Sequence, residues 1–212
     1  MIIAVDGTLA SGKGTIARGL AAHFGLPHLD TGALYRAVAV AVLSAGDDPA
    51  DEALAEHAAK TLDPANIDQH AIRTAAAGAA ASVVAAQPRV RQALFELQRR
   101  FAEQEGGAIL DGRDIGTVVC PDADVKLFID ADPQVRAERR WRELVASGDE
   151  IQLEEIERQL AERDKRDASR ETAPLMRADD AILLDTTHLS IDATLAEAVR
   201  IVKNKTGATP GS

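Results

Sequence analysis

The 212 residues suffice for one α/β domain, and 46% hydrophobic against 27% charged residues predicts a soluble globular chain rather than a disordered one. A net charge of −10 argues against general nucleic-acid binding, whose usual footprint is a basic stripe, so no polymeric nucleic-acid partner is expected. The single cysteine, Cys120, excludes an intrachain disulfide, the five histidines lack ligand spacing, and no apolar run approaches the length of a membrane span.

The chain opens directly on a strand with no leader pattern before it, which predicts a cytoplasmic protein without a membrane partner. That strand is Ile2-Ile3-Ala4-Val5-Asp6, a β-branched apolar run of the buried kind. Gly7-Thr8-Leu9-Ala10-Ser11-Gly12-Lys13-Gly14-Thr15 follows, and Ile16, Ala17, Leu20, Ala21 and Phe24 then recur as one face of an amphipathic helix. Strand, glycine-rich turn and helix together give a G-x-x-x-x-G-K run its meaning as a phosphate loop. Its backbone N–H groups and the positive end of the helix dipole cradle oligophosphate. Lys13 adds a mobile positive charge for the terminal phosphates. One position departs from the pattern: Gly14 stands where a Ser or Thr hydroxyl usually ligates Mg²⁺. A metal here leans on water and substrate oxygens instead, and Thr15 is expected at the α-phosphate. An ordinary glycine-bearing turn is the alternative, and the agreement of glycines, lysine and flanks weighs against it.

Leu26 to Asp30 reads as a second strand ending at Thr31-Gly32, and Ala33 to Ala45 as a helix stopped by Gly46-Asp47-Asp48-Pro49. A helix over about Asp51 to Leu62 is broken by Asp63-Pro64. From Ile67 to Ala86 alanine dominates, which favours a helix despite Gly78; Ile72, Val83 and Val84 argue against a low-complexity linker. Pro88 suits the first turn of another helix with Val90, Leu94, Leu97 and Phe101 on its buried face. Ala108 to Gly112 and Val125 to Asp130 read as the third and fourth strands. Asp132 then caps a long helix that starts at Pro133, carries Arg136, Arg139, Arg140 and Arg142, and ends near Ser147-Gly148. Trp141 is expected to pack rather than bind. Leu153 to about Ser169 is so rich in alternating charge that it is expected to project from the body and move. Ala181 to Asp185 is the fifth strand, Ser190 caps the last helix, and Gly207 to Ser212 is expected to be a frayed tail.

Five apolar strands without alternation, separated by helices, predict a parallel sheet covered on both faces. Ligands of such sheets gather beyond the carboxyl ends of the strands. That rule brings Asp6, Asp30, Asp111-Gly112-Arg113-Asp114, Asp130 and Asp185 to one rim, the expected active site. A phosphoryl acceptor there needs positive charge beyond Lys13, and Arg36, Arg113 and the arginines of the projecting helix offer it.

Several of these stretches are similar to the bacterial cytidylate kinases. They are Gly7 to Thr15, Asp30-Thr31-Gly32-Ala33-Leu34-Tyr35-Arg36, Pro88-Arg89-Val90-Arg91, Asp111-Gly112-Arg113-Asp114-Ile115-Gly116-Thr117-Val118-Val119, Arg163-Asp164-Lys165-Arg166-Asp167 with Arg170, and Asp185-Thr186-Thr187. They run in order along nearly the whole chain. The resemblance implies a P-loop NTPase-type α/β fold: a five-stranded parallel sheet with helices on both faces, a helical region for the nucleoside monophosphate, and a mobile lid. On this chain the core covers about 1–45, 106–148 and 178–204, the monophosphate region about 46–105, the lid about 149–177 and the tail 205–212. The implied activity is transfer of the γ-phosphoryl of ATP to CMP or dCMP, with Mg²⁺ bound alongside ATP, by a monomer.

The resemblance assigns ATP phosphates to Gly7, Thr8, Leu9, Ala10, Ser11, Gly12, Lys13, Gly14 and Thr15. It places Thr31, Arg36 and Arg113 at the CMP phosphate, and Ser82, Arg91, Asp114 and Arg170 around the base. Asp167 with Arg163 reaches the sugar and the transferring group, and Arg166 closes over the phosphates. Lys13, Arg113, Arg163 and Arg166 are thus the expected catalytic set, and Asp111 is expected to orient metal-bound water. The longer members of that family carry a β-rich insert that Leu62 to Ile72 lacks, so closure of this region and strictness for CMP stay open.

The base site is chemically coherent. A carboxylate such as Asp114 takes the cytosine amino hydrogen, and Arg91 and Arg170 donate to N3 and O2. Uracil would set a carbonyl against the carboxylate, a mismatch of about 1–3 kcal/mol. Asp114 as a mere ion-pair partner of an arginine is the alternative. For the whole chain, the alternatives are a kinase for another monophosphate such as UMP or AMP, and an ATP-binding module without turnover.

Overall fold

A computed structural model of the protein describes residues 1–146 and 148–208. The expected helix end at Ser147 and the expected tail from 209 to 212 lie outside the described residues. Strands β1 (Ile2–Gly7), β2 (His28–Asp30), β3 (Ala108–Gly112), β4 (Val125–Asp130) and β5 (Ile182–Asp185) form one sheet in the order β2-β3-β1-β4-β5. β1 runs parallel to both β3 and β4, and β5 parallel to β4. Ile3, Ala4 and Val5 of the central strand are wholly buried, which explains why β1 shows no polar alternation. β5 stands at an edge of the sheet, and its Leu183 is exposed.

The chain divides into two compact units, Met1–His28 with Ala102–Ser212, and Leu29–Phe101. In the first, α1 (Lys13–Phe24) and α8 (Ile191–Thr206) bury Ile16, Leu20, Phe24, Ala198 and Val202 with Ile3, Val5, Leu127 and Ile129 of the sheet. A side chain at Gly19 would strike Leu195, so glycine permits that close helix pair. Apolar burial of this kind contributes about 25 cal/mol per Å². β3 leads into a π-helical turn, Ile115–Val119, that the sequence gives no reason to expect. After β4 come α6 (Pro133–Ala146) and α7 (Leu153–Ser169).

α7 does not project. Its few apolar residues, Ile156 and Leu160, stand one turn apart and pack against Ala137, Trp141 and Leu144 of α6. Asp164 is also paired with Arg136 of α6 at 2.6 Å. Two apolar anchors and one half-buried ion pair suffice to dock a helix whose other faces are charged. Trp141 packs as expected, its indole N–H donating to the Ile151 carbonyl at 2.9 Å.

The second unit is helical: α2 (Thr31–Ser44), α3 (Glu52–Lys60), α4 (Ala75–Val84) and α5 (Pro88–Ala102). Its core joins Leu34, Val38 and Val42 of α2 to Ala55, Ala59, Ala80, Ala81, Val84, Val90 and Leu94. The alanine-rich stretch is thus a helix, and its small side chains belong to that core. The expectation of helix from Ile67 fails as far as Thr74. There Asp68 accepts from the N–H groups of His70 and Ala71, at 2.8 and 3.1 Å, a local turn that competes with a helix. Thr74 then caps α4 by accepting from Ala77 N–H at 3.1 Å. Among the described residues no helix is long and apolar enough to cross a membrane.

Candidate active site

The phosphate loop is shaped by backbone constraints before any ligand arrives. A Cβ on Gly7 would run into the Ile129 carbonyl of β4, and Gly12, the cap of α1, has φ +91°. Ala10 also takes a left-handed conformation, φ 61°, uncommon for a residue with a side chain. Three loop carbonyls are engaged by side-chain donors. Thr8 O accepts from Ser11 Oγ at 3.0 Å and from Lys13 Nζ at 3.2 Å. Leu9 O accepts from Arg136 Nη1 at 3.2 Å, and Ser11 O from Thr186 Oγ1 at 2.9 Å. Thr8 Oγ1 donates to Asp130 Oδ1 at 2.7 Å. In a trans peptide the N–H points opposite to the C=O. Holding these carbonyls therefore aims the N–H groups of Leu9, Ala10 and Gly12 the other way, as a phosphate cradle requires. α1 has no acidic residue in its first turn to offset the dipole.

Asp111, at the end of β3, is buried, and its Oδ1 lies 2.6 Å from Nε2 of His28. A Cβ at Gly14 would meet Asp111 Oδ2 at 3.7 Å. A carboxylate oxygen thus faces the place where other phosphate loops carry a hydroxyl. An oxygen donor suits Mg²⁺, which keeps several waters and takes few protein carboxylates. Among the described residues no group of three or more His, Cys, Asp or Glu side chains gathers as a metal cage.

The rest of this unit's site is a cluster of arginines and aspartates. Arg113 Nε donates to Asp167 Oδ2 at 3.1 Å, and Arg163 lies 4.0 Å from the same oxygen. Burial works against the charge of Asp167, but Arg113, Arg163 and Arg170 together hold its carboxyl below the usual range. Arg170 lies 3.9 Å from Asp114 and donates to the Ala173 carbonyl at 2.6 Å. Guanidinium groups gathered in this way suit an anion. Asp114 thus has the Arg170 guanidinium within ion-pair distance. Arg166, on the same helix, is exposed.

In the second unit, Asp30 caps α2 by accepting from Ala33 N–H at 3.0 Å and binds Arg36 at 2.8 Å. A Cβ at Gly32 would lie 3.1 Å from Arg36 Nη1, so the guanidinium folds close over the first turn of α2. Thr31, Ser82 and Arg91 are buried in this unit. Arg91 Nη1 donates to the Ala85 carbonyl at 3.2 Å, and its guanidinium lies 5.5 Å from the centre of the Tyr35 ring.

Sequence reasoning gave no role to three residues that shape the site: His28, Arg136 and Thr186. His28 stood among scattered histidines, Arg136 among helix arginines and Thr186 inside a matched run, and each acts through a partner distant in sequence. Asp6 was expected on the rim, but its bonds to the distant Ile115 and Gly116 N–H groups were not.

The family model described as cytidylate kinase matches residues 3–204. A relative from Xanthobacter autotrophicus named cytidylate kinase is 58% identical over 203 residues, covering 96% of this chain and 97% of the relative. One of the same name from Azorhizobium caulinodans is 55% identical over 207 residues, covering 98% of this chain and all of the relative. Two solved structures share the fold at 15% identity. An uncharacterized protein from Eubacterium ventriosum has a TM-score of 0.56 and covers 96% of this chain and 98% of its own. A sugar kinase from Janibacter has a TM-score of 0.51 and covers 100% of this chain and 98% of its own. The phosphate loop, the arginine cluster and near full-length relatives above half identity agree: the chain belongs to the cytidylate kinase family.

Proposed function

We propose that the protein is a nucleoside-monophosphate kinase that phosphorylates CMP and dCMP with ATP, yielding CDP and dCDP by direct in-line transfer. The observation that carries this reading is the arginine–aspartate cluster of Arg113, Arg163, Asp167, Arg170 and Asp114 in the same unit as the phosphate loop. A protein that only holds ATP has no need of an acceptor clamp.

Phosphoryl transfer needs positioning and charge neutralisation more than covalent help, so no protein nucleophile is assigned. Gly7 to Thr15 hold the ATP phosphates, and Lys13 turns from the Thr8 carbonyl to the transferring group. From the first unit, Arg113 binds the acceptor phosphate, Asp114 and Arg170 read the base, and Asp167 with Arg163 reaches the sugar and the moving phosphoryl. In the second unit, Thr31, Arg36, Ser82 and Arg91 are the groups that the family resemblance assigns to CMP. Arg166, on a lid of about residues 149–177, closes over the phosphates and excludes water, so that ATP is not simply hydrolysed. Mg²⁺ bound with ATP would supply further neutralisation of phosphate charge, and Asp111, held by His28 and facing Gly14, would help to hold it. The protein works as a cytoplasmic monomer on small nucleotides.

The test is ADP release from ATP and Mg²⁺ with CMP, dCMP, UMP or AMP, against a control without acceptor. Strong turnover of CMP and dCMP with weak UMP is expected. Equal turnover of UMP would discard the cytosine pocket and keep the kinase. ADP release that ignores every acceptor would discard the kinase.

A further inference from the structure

Asp6 closes β1 directly before the phosphate loop, yet its side chain serves a different loop. It is 5% exposed, and its carboxylate accepts from Ile115 N–H at 2.8 Å through Oδ1 and from Gly116 N–H at 2.7 Å through Oδ2. Those donors open the π-helical turn Ile115–Val119. Just before them stand Arg113 and Asp114, and before these is Gly112, which pairs with Asp6 itself in the β1–β3 register. Arg113 and Asp114 therefore hang between two fixed points, the sheet at Gly112 and the Asp6 carboxylate. A Cβ at Gly116 would sit 3.4 Å from Asp6 Oδ2 and 3.1 Å from Lys126 Cδ, so glycine keeps this approach close.

We propose that Asp6 is a positioning residue for the acceptor nucleotide, its carboxylate fixing the turn that carries Arg113 and Asp114 and so setting CMP affinity from the strand that bears the phosphate loop. The proposal rests on the reading of Arg113 and Asp114 as CMP-binding groups. The carboxylate is needed because each oxygen faces an N–H. A proton on either oxygen sets a donor against a donor and frees that side of the turn.

The groups around Asp6 make such a proton available. Burial pushes its carboxyl up to about 7, against the pull of the Gly116 and Ile115 N–H groups; nearby Asp114 raises it further and Arg113 lowers it. On β4, Lys126 approaches the same turn, but its ammonium is bound to Asp180 at 2.9 Å. Asp111 of β3 pairs in register with Val5, one residue before Asp6, so it belongs to the opposite face of the sheet. Acceptor affinity therefore weakens as pH falls through about 7. ATP affinity does not follow, because the ATP loop is held by Arg136 and Thr186 instead.

The test measures KM for CMP and for ATP in wild type, Asp6→Asn and Arg113→Ala at pH values from about 5.5 to 8.5. Asp6→Asn is expected to raise KM for CMP about tenfold while leaving that for ATP within about twofold. The ratio of wild-type to variant KM for CMP cancels titration of the CMP phosphate and should change with a midpoint near 7. Gly116→Ala disturbs the same contact from its other partner and carries the test should Asp6→Asn fold poorly; it too should raise KM for CMP alone. If Arg113→Ala weakens CMP while neither Asp6→Asn nor Gly116→Ala does, the positioning role is wrong and the acceptor reading stands. An equal rise in both KM values assigns Asp6 to the fold at large and overturns the proposal. No effect of Arg113→Ala on CMP removes the acceptor reading beneath it.

Discussion

The phosphate loop and the arginine cluster of the same unit both prepare for anions, by opposite means. The loop is held through its backbone, with Thr8, Leu9 and Ser11 carbonyls engaged at 2.9 to 3.2 Å and two glycines permitting the turn. The cluster is held by long side chains in ion pairs at 3.1 to 4.0 Å, on residues from β3 to the end of α7. Fixed N–H dipoles need no reorganisation when phosphate binds, which favours rate. Ion pairs must be shared or exchanged when a ligand enters, which favours discrimination. In the proposed reaction the donor nucleotide meets the rigid device and the acceptor the adaptable one.

The sharpest way to break this contrast is to remove the lysine of the rigid device. Lys13 is nearly buried, its ammonium resting on the Thr8 carbonyl. Lys13→Met should keep the fold and lower kcat about 10³-fold or more, roughly 4 kcal/mol of transition-state stabilisation, with KM for ATP changed far less. A fall in ATP affinity that accounts for the whole loss would make Lys13 a binding residue and leave catalysis to the cluster.

Asp167→Asn probes the adaptable device. It leaves Arg113 and Arg163 without their shared carboxylate, and kcat/KM for CMP should fall about 10- to 100-fold while KM for ATP holds. The stability profile gives an independent reading. The carboxyl of Asp167 is held below its ordinary 3.8, so the native state binds this proton less readily than the unfolded chain. Its stabilisation is complete above that value and lost as pH falls below it. Wild type should therefore lose melting temperature more steeply than Asp167→Asn below about pH 4, and the two curves should run parallel near neutrality.

The difference between the regions also governs how each could be read from sequence. The phosphate loop is local, so Gly7, Gly12 and Lys13 between a strand and a helix declare it, and the arginine runs around Arg113 and Arg163 were legible by resemblance. What holds the loop was not, because Leu9 and Arg136 stand 127 residues apart, and Ser11 and Thr186 stand 175 apart. A lone arginine in a helix with four of them carries no mark of being the buried one. The same blindness produced the expectation of a projecting α7: the charge pattern showed its solvated faces, while docking depended on Ile156, Leu160 and one ion pair to α6. The five strands were legible because burial leaves a continuous apolar run, whereas the π-helical turn depends on Asp6, far away in sequence.

Arg136 belongs to both regions and so tests whether they are separate at all. It is 3% exposed, donating to the carbonyls of Ala131 and Leu9 and, through Nη2, to Asp164 of α7. Arg136→Gln should raise KM for ATP about tenfold through the loosened Leu9 carbonyl, whereas Asp164→Asn, which spares that bond, should not. Equal effects of the two would mean that α7, rather than the Leu9 contact, sets the loop.

The smallest effect is expected where the loop departs from the usual pattern. Gly14 has room for a Cβ, with Asp111 Oδ2 at 3.7 Å and Arg18 Nη1 at 3.5 Å, both ordinary contact distances. Gly14→Ser alone should therefore change kcat/KM by about twofold at most. If Asp111 stands in for the missing hydroxyl, Asp111→Asn should raise the Mg²⁺ concentration needed for half-maximal activity, and adding Gly14→Ser should recover part of that loss. The expected coupling is about 1 kcal/mol, read from the four variants of the cycle. The same cycle followed by Mn²⁺ binding in the presence of ATP separates metal affinity from turnover. Strict additivity in both readouts would make Gly14 and Asp111 independent, and the ordering of the loop by its backbone would then be complete without the metal.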